Sequence, residues 1–128
     1  MGITQKPTES ELEILQLLWK RGPSSVREIN DLLNEQREVG YTTSLKIMQI
    51  MNEKELVTRD TSSRTHIYRA AIKEEATKQS LLKEFITNTF NGSAKNLVMQ
   101  ALGGTKTSKK ELDEIKKLIK EIEKKTKS

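Results

Sequence analysis

The sequence predicts a mainly α-helical protein with one small β-hairpin, and three observations support this fold class. Near the start, two segments combine a Ser or Thr with a Glu three residues later, a pattern typical of helix N-termini. Two runs rich in β-branched and aromatic residues then flank a polar loop, which predicts a hairpin. From residue 73 onward, apolar residues recur at three- and four-residue spacings, which predicts further helices.

The first two predicted helices lie in TESELEILQLLWKRG and SVREINDLL. Thr8 and Ser25 are the expected N-caps, and Glu11 and Glu28 complete a capping box at each of them. Gly22, which a proline follows, is expected to end the first helix, because glycine tolerates the left-handed conformation common at that position. The apolar residues that these helices are expected to bury in one core are Leu12, Ile14, Leu15, Leu18, Trp19, Val26, Ile29, Leu32 and Leu33.

A third helix is predicted from about Thr43 to Lys54, directly before the hairpin. Its buried side is expected to consist of Ile47, Met48 and Met51. The strands are predicted in LVTRD and HIYRAA, on either side of the polar loop TSSRT. Residues 8–72 therefore outline three helices and a hairpin in the order of a winged helix-turn-helix.

Three more helices are predicted in EEATKQSLLKEFITNTF, in AKNLVMQAL and after Ser108. Their apolar stripes are narrow and the chain has few aromatic residues, so we expect a second copy of the chain to complete their core. The sequence thus divides into a winged-helix DNA-binding domain, residues 1–72, and a helical dimerisation domain, residues 73–128. The residues expected in the dimer interface are Leu82, Phe85, Ile86, Phe90, Leu97, Val98, Leu112, Ile115, Leu118, Ile119 and Ile122.

The third helix and the hairpin carry the residues expected to contact DNA. In a winged helix-turn-helix, the second helix of the motif enters the major groove and the hairpin lies on the DNA backbone. Gln49 can pair with adenine, and Lys46 can reach guanine or a phosphate. Arg64, in the hairpin loop, is the expected wing contact. The full set of predicted DNA-binding residues is Thr42, Thr43, Lys46, Gln49, Arg59, Arg64 and Arg69.

The distribution of charge leaves a second function open. The net charge of +5 lies entirely in residues 73–128, because residues 1–72 carry 10 basic and 10 acidic side chains. Within residues 41–72 there are 5 basic and 3 acidic side chains, a weak basic excess. The alternative is a winged-helix protein-interaction adaptor without specific DNA binding. An affinity for duplex DNA that falls steeply with salt would separate the two functions.

Composition argues against several other classes of protein. The chain has no cysteine, which excludes disulfides, thiolate metal sites and cysteine nucleophiles. His66 is the only histidine and is expected in a strand, so neither a metal centre nor a catalytic triad is supported. We therefore expect no enzyme activity, no metal and no cofactor. No run approaches the roughly 20 apolar residues of a membrane span, and the first residues lack a signal core, so we expect a cytoplasmic protein without membrane insertion.

Five segments in a fixed order resemble one family of bacterial transcriptional regulators, the penicillinase-repressor (BlaI/MecI/CopY) family. These segments are TESELEILQLLW, VREINDLL, YTTSLKIMQIM, RTHIYRA and FNGSAKNLVMQAL. The resemblance covers roughly residues 7–125. It implies an N-terminal winged helix, a C-terminal helical dimerisation region, and repression by homodimers bound to a palindromic operator in double-stranded DNA.

The resemblance also implies how repression could be released, and the chain departs from the family at several positions. In the antibiotic branch, a membrane sensor-protease triggers cleavage of an Asn-Phe bond in the dimerisation region. This chain has Gln100 and Ala101 at that place, so cleavage there would need a protease of different preference. The copper branch senses metal through C-terminal cysteine pairs, which this chain lacks. Relatives often carry Arg where Ile50 stands and Gly where Glu55 stands, so Glu55 is expected to close the third helix at a positive φ.

Overall fold

The protein, described here from a computed structural model, contains six helices and three strands within residues 6–104 and 106–126. In chain order they are α1 (Glu9–Arg21), β1 (Ser24–Ser25), α2 (Val26–Asn34), α3 (Tyr41–Glu53), β2 (Val57–Asp60), β3 (Ile67–Ala70), α4 (Glu74–Thr89), α5 (Ala94–Gly104) and α6 (Lys109–Thr126). The predicted mainly α chain with a small hairpin is confirmed. Two compact units divide the chain, Met1–Lys83 and Glu84–Ser128, so α4 contributes to both.

Both predicted capping boxes are present. At the start of α1, the Glu11 N–H donates to Thr8 Oγ1 at 3.2 Å and the Thr8 N–H donates to Glu11 Oε1 at 2.9 Å. Ser25 and Glu28 repeat this exchange at the start of α2, at 3.2 and 2.9 Å. Gly22 ends α1 with a φ of 97°, as its position before a proline predicts. These local hydrogen bonds fix where the first two helices begin.

One apolar core holds α1, α2, α3 and the hairpin together. Its buried residues are Ile14, Leu15, Leu18, Val26, Ile29, Leu33, Met48, Met51, Leu56, Val57 and Tyr68. Leu12, Trp19 and Leu32, which were expected in this core, are only partly buried. The indole N–H of Trp19 donates to the Ile72 carbonyl at 2.9 Å, which ties α1 to the chain just after the hairpin.

The prediction for the start of α3 is wrong by two residues. The helix begins at Tyr41, and Gly40 is its N-cap in an extended conformation without a side-chain hydrogen bond. Because glycine has no side chain, the capping signal that marks α1 and α2 is missing here. Thr42 and Thr43 therefore lie inside the first turn. The buried side of α3 consists of Ser44, Met48 and Met51, which leaves Ile47 only partly buried.

Two asparagines fix the connection between α2 and α3. Asn30 is buried, and its Nδ2 donates to Ser44 Oγ at 2.8 Å and to the Val39 carbonyl at 3.0 Å. Asn34 Nδ2 also donates to the Val39 carbonyl, at 2.8 Å, and Asn34 Oδ1 accepts from the Val39 N–H at 3.1 Å. The start of α3 is therefore held against α2 by side-chain hydrogen bonds as well as by apolar packing.

The hairpin belongs to a three-stranded antiparallel sheet with the order β1-β3-β2, in which β3 is the central strand. The two-residue strand β1 was not predicted. The register pairs Arg59 with Tyr68 and Thr58 with Arg69. Since cross-strand partners share a face and neighbours along a strand alternate, Arg59 lies on the face of the buried Tyr68, whereas Arg69 lies on the outer face.

The turn from α3 into β2 confirms the expectation for Glu55. This residue has a φ of 65°, a left-handed conformation that glycine adopts more readily. The turn is closed by the Leu56 N–H, which donates to the Met51 carbonyl at 2.9 Å.

The C-terminal unit exposes most of its apolar side chains. No side chain of α5 or of the described part of α6 is fully buried. Phe85 and Phe90 meet edge to face with ring centroids 5.6 Å apart. Serine side chains cap both α5 and α6, because Ser93 Oγ accepts from Asn96 N and Ser108 Oγ accepts from Glu111 N, each at 3.1 Å. Within the described ranges, no helix is long and apolar enough to cross a membrane.

Candidate nucleic-acid interface

The exposed side of α3 presents three of the predicted residues in one row. Thr42, Lys46 and Gln49 follow one another at spacings of four and three residues and are all exposed. Such spacing places them on one side of the helix, opposite the buried methionines. Lys46 and Gln49, both predicted to contact DNA, therefore point away from the core.

Thr43 and Ile50 lie beside this row. They are seven residues apart and therefore share a neighbouring stripe of α3. Ile50 is 36% exposed, and Thr43 lines a shallow depression together with Gly40. The exposed surface of α3 thus combines polar groups with two large hydrophobic side chains, Ile50 and Tyr41.

A groove with a volume of about 540 Å³ runs between the start of α2, the side of α3 and the hairpin. We call it the arginine groove. It is lined by Ser25, Val26, Arg27, Tyr41, Leu45, Gln49, Arg59, Arg64, Thr65, His66 and Tyr68. The structure therefore brings three of the predicted DNA-binding residues together: Gln49 from α3, Arg59 from β2 and Arg64 from the loop.

The arginine groove is positively charged although residues 1–72 are neutral overall. Its lining contains Arg27, Arg59 and Arg64 but neither Asp nor Glu. Among the described residues, no carboxylate forms an ion pair with any of these three arginines. Three guanidinium groups from three different elements thus face one groove without an acidic partner, an arrangement that attracts anions.

Several acidic side chains of the N-terminal unit form ion pairs outside the arginine groove. Both Glu13 carboxylate oxygens accept from the Arg37 guanidinium, at 2.6 and 2.7 Å, and this contact lowers the pKa of Glu13. Glu28 accepts from the Ser25 N–H and from Arg21, and these hydrogen bonds lower the pKa of Glu28. Residues 1–72 therefore have no net charge, although their basic and acidic side chains are concentrated in different places.

Arg69 is not brought to the arginine groove. It lies on the outer face of the hairpin, near Asp60, whose pKa is lowered by hydrogen bonds from Ser62 and by the charge of Arg69. The Ser62 N–H donates to Asp60 Oδ1 at 2.9 Å and orders the start of the loop that carries Arg64. Any DNA contact of Arg69 would thus be made from the other side of the hairpin.

Arg27, Tyr41 and His66 are among the residues of the arginine groove that were not predicted as site residues. The guanidinium carbon of Arg27 lies 4.7 Å from the ring centroid of Tyr41, and exposed His66 directly precedes β3. Arg27 is the second residue of α2, a helix that the sequence assigned only to the core. Tyr41 was not considered as a site residue because the third helix was predicted to begin two residues after it. A polar residue in the first turn of α2 was the available signal, because that turn lies next to the DNA backbone in helix-turn-helix proteins.

The residues proposed for cleavage and dimerisation lie in the C-terminal helices. Gln100 and Ala101 are exposed, and the bond between them lies inside α5. Several predicted interface residues are about half exposed, among them Phe85 at 49%, Ile119 at 49% and Leu118 at 54%. The remaining ones on α5 and α6, Leu97, Leu112 and Ile115, are partly buried.

Comparison with known proteins adds independent information. The family model described as Penicillinase repressor matches residues 7–121. The penicillinase repressor of Staphylococcus aureus is 25% identical over 116 residues, which cover 91% of this chain and 92% of that protein. The transcriptional regulator BlaI of Mycobacterium tuberculosis is 32% identical over 59 residues, which cover 45% of this chain and 43% of that protein. A solved variant of ZitR from Lactococcus lactis has 19% identity and a TM-score of 0.47, over 98% of this chain and 80% of that one.

Proposed function

We propose, since this chain belongs to the penicillinase repressor family of transcriptional regulators, that it represses transcription as a homodimer bound to an inverted-repeat DNA operator. The family match confirms the resemblance seen in five segments of the sequence. Members of this family are regulators and not enzymes. The operator, the dimer and the mode of release are the parts that we propose for this chain.

The arginine groove beside the exposed row of α3 is the observation that carries DNA binding. An α-helix with polar side chains on its free side fits the major groove, where Gln49 would pair with adenine and Lys46 would contact guanine or a phosphate. Arg59 and Arg64 would then neutralise phosphates along the flanking backbone. The absence of carboxylates from the groove lining supports this role, because a nearby carboxylate would repel the DNA.

The N-terminus of α3 supports a second kind of phosphate contact. Gly40 provides no side-chain acceptor, so the first N–H groups of α3 have no side-chain hydrogen bond within the described structure. A helix N-terminus of this kind binds phosphate through its free N–H groups and its dipole. The hydroxyls of Thr42 and Thr43, in the first turn, would complete that contact. For Arg69, on the outer face, DNA contact stays a prediction.

A second copy of the chain is the proposed partner of the exposed apolar residues. Residues 73–128 would form the dimerisation region, while residues 1–72 would bind DNA. Side chains such as Ile119 and Ile122, about half exposed on one side of α6, support this assignment, because burying them in a dimer removes apolar surface from water. A symmetric dimer would place two α3 helices in successive major grooves, about 34–36 Å apart.

Loss of the dimer would release the operator, because two linked half-sites bind far more tightly than one. Proteolysis near residues 97–102 is the release mechanism that the family suggests, with a membrane sensor-protease as the partner and the cytoplasm as the location. In this chain the Gln100–Ala101 bond is helical, so α5 would have to open locally before a protease could bind it in an extended form.

A selection experiment tests the proposed function. Wild-type chain is used to enrich duplexes from a random-sequence pool, and their affinity is measured by mobility shift at several salt concentrations. We expect an inverted repeat to emerge and its affinity to fall steeply with salt. If no sequence is enriched at physiological salt, or if the affinity depends only weakly on salt, the chain acts as a protein-interaction adaptor instead.

A further inference from the structure

We propose that Arg27 binds a backbone phosphate of duplex DNA at the edge of the arginine groove, and that Tyr41 holds its guanidinium in position for this contact. The inference rests on the proposed function and adds two residues to it. It assigns Arg27 the role of a binding residue and Tyr41 that of a positioning residue.

The contact between the two side chains joins both helices of the helix-turn-helix. Arg27 is in the first turn of α2 and Tyr41 is the first residue of α3, and the guanidinium lies 4.7 Å from the ring centroid. This distance is within the roughly 6 Å range of cation–π interactions. A guanidinium stacked on a ring keeps its N–H groups free at the edge, where they can bind a phosphate in a bidentate manner.

The charge of Arg27 is not balanced within the described residues. Glu28, its neighbour in sequence, is held by the Ser25 N–H and by Arg21. Asp31, one turn further along α2, forms no ion pair with Arg27 in the described structure. The groove lining adds two further arginines and no acid. An anion from outside the chain, such as a DNA phosphate, can therefore pair with this cation without displacing a carboxylate.

The position of Arg27 predicts a contact that is independent of DNA sequence. In helix-turn-helix proteins the first helix of the motif crosses the backbone while the second reads base edges. Arg27 belongs to the first of these helices, so its contact should strengthen binding to every duplex alike. Stacking on Tyr41 should raise the affinity further, because a guanidinium that is already ordered loses less conformational freedom on binding.

The test measures the affinity of the full chain for an enriched duplex and for a scrambled duplex over a series of salt concentrations. Arg27→Ala should weaken binding to both duplexes by roughly tenfold per protomer. It should also reduce the slope of log affinity against log salt by about one per protomer, since one phosphate contact is lost. Lys20→Ala is the matched control, because Lys20 is exposed and lines a different depression, between α1 and the end of α2, and its slope should equal that of wild type.

Variants of Tyr41 separate positioning from direct binding. Tyr41→Leu should keep the wild-type salt slope but lower the affinity roughly two- to fivefold per protomer, the cost of ordering one long side chain on binding. Tyr41→Phe keeps the ring and should bind as wild type. In the Arg27→Ala background, Tyr41→Leu should cause no further loss. If Tyr41→Phe weakens binding as much as Tyr41→Leu, the hydroxyl contacts DNA and the positioning role is wrong.

The failure of this inference differs from the failure of the proposed function. If wild type binds the enriched duplex with a steep salt slope but Arg27→Ala has the same slope and affinity, only the role of Arg27 is lost. If wild type shows neither a preference for the enriched duplex nor a steep dependence of affinity on salt, the proposed function itself fails. Circular dichroism of each variant verifies folding, which we expect to be preserved because both side chains are exposed.

Discussion

The ammonium group of Lys54 donates hydrogen bonds to both carboxylate oxygens of Glu11, at 2.9 and 3.0 Å, and so joins the start of α1 to the end of α3. Glu11 is 4% exposed and also accepts from the Thr8 N–H. One carboxylate therefore caps α1 and anchors the helix that is proposed to enter the DNA groove.

Replacement of Glu11 tests this ion pair. Glu11→Gln leaves a largely buried lysine without its carboxylate and should lower the free energy of unfolding by about 1–3 kcal/mol. Glu13→Gln, which breaks an exposed pair with Arg37 on the same helix, should have a much smaller effect. Urea unfolding followed by the fluorescence of Trp19 measures both variants. Equal losses would show that the buried pair has no special role.

The same pair predicts a pH dependence. Burial raises the pKa of Glu11, but the hydrogen bond from Lys54, the one from Thr8 and the attraction of the ammonium charge together keep it below 4.5, its ordinary value. Because the pKa of Glu11 is lowered in the folded protein, its ionised carboxylate stabilises the fold above pH 4.5. This stabilisation is lost as the pH falls through the folded-state pKa. Wild type should therefore lose stability below that pH more steeply than Glu11→Gln. If the free energy of unfolding of the two proteins falls in parallel with pH, Glu11 is not the source of the pH dependence.

Asn30 is expected to be essential for the position of α3. Asn30→Ala leaves the buried Ser44 hydroxyl without its donor and should cost about 1–3 kcal/mol of unfolding free energy. Asn34→Ala removes bonds to the same Val39 at an exposed site, where water can replace them, and should cost less. Hydrogen exchange of the segment 35–40 should become faster in both variants. Unchanged exchange in Asn30→Ala would mean that packing alone positions the segment.

Glu55→Gly should stabilise the protein. Glu55 has a φ of 65°, and glycine adopts this conformation without the steric cost of a Cβ, so we expect a gain of about 0.5–1 kcal/mol. Glu53→Gly, at the last residue of α3, is the matched control and should destabilise by up to about 1 kcal/mol, because glycine is a poor helix former. Thermal unfolding of both variants measures the difference. A loss of stability in Glu55→Gly would indicate that its side chain makes a contact that matters more than the strain.

The elements that could be predicted from the sequence are those that short-range hydrogen bonds specify. Thr8 with Glu11, and Ser25 with Glu28, mark the starts of α1 and α2 because each cap reaches a backbone group three residues away. The start of α3 was missed because Gly40, its N-cap, has no side chain that could form such a hydrogen bond. Strand β1 was missed because two residues pair only once β3 is in place.

The site residues that could be predicted from the sequence lie on one face of α3 or in the hairpin, where a local pattern was sufficient. Lys46 and Gln49 were found from the polar side of α3, a property of local periodicity. The Asn30–Ser44 hydrogen bond spans 14 residues and the Glu11–Lys54 pair spans 43, so neither follows from any local pattern. Arg27 and Arg59 meet in the arginine groove only through the tertiary fold. The sequence likewise could not show that Arg59 and Arg69 face opposite sides, because that depends on strand register.

DNA recognition by α3 and by the loop should respond differently to mutation. Gln49→Ala and Lys46→Ala should each cost about 1–3 kcal/mol of binding to the enriched duplex and relax the preference for it. Arg64→Ala should weaken binding to all duplexes alike and reduce the salt slope by about one per protomer. Mobility shifts with enriched and scrambled duplexes measure both effects. Identical behaviour of the two classes would mean that the roles are assigned wrongly.

The proposed dimer can be tested on the apolar side of α6. Ile119 is 49% exposed, and Ile119→Asn should weaken the dimer roughly a hundredfold or more, because two copies of the side chain would lose apolar burial. Lys117→Asn, two positions earlier and on the opposite side of α6, is the control and should leave the dimer intact. Analytical ultracentrifugation gives both dissociation constants.

The DNA-binding unit should survive the loss of the dimer. The apolar core of the N-terminal unit, with the residues packed around it, ends at Ile72, so Trp19 fluorescence of Ile119→Asn should match that of wild type. The affinity of Ile119→Asn for a duplex with one half-site should also equal that of wild type. Binding to the full inverted repeat should fall toward the one-half-site value, since the two half-sites would no longer be linked. If Ile119→Asn stays monomeric and still binds the inverted repeat as tightly as wild type, DNA recognition does not depend on pairing through α6.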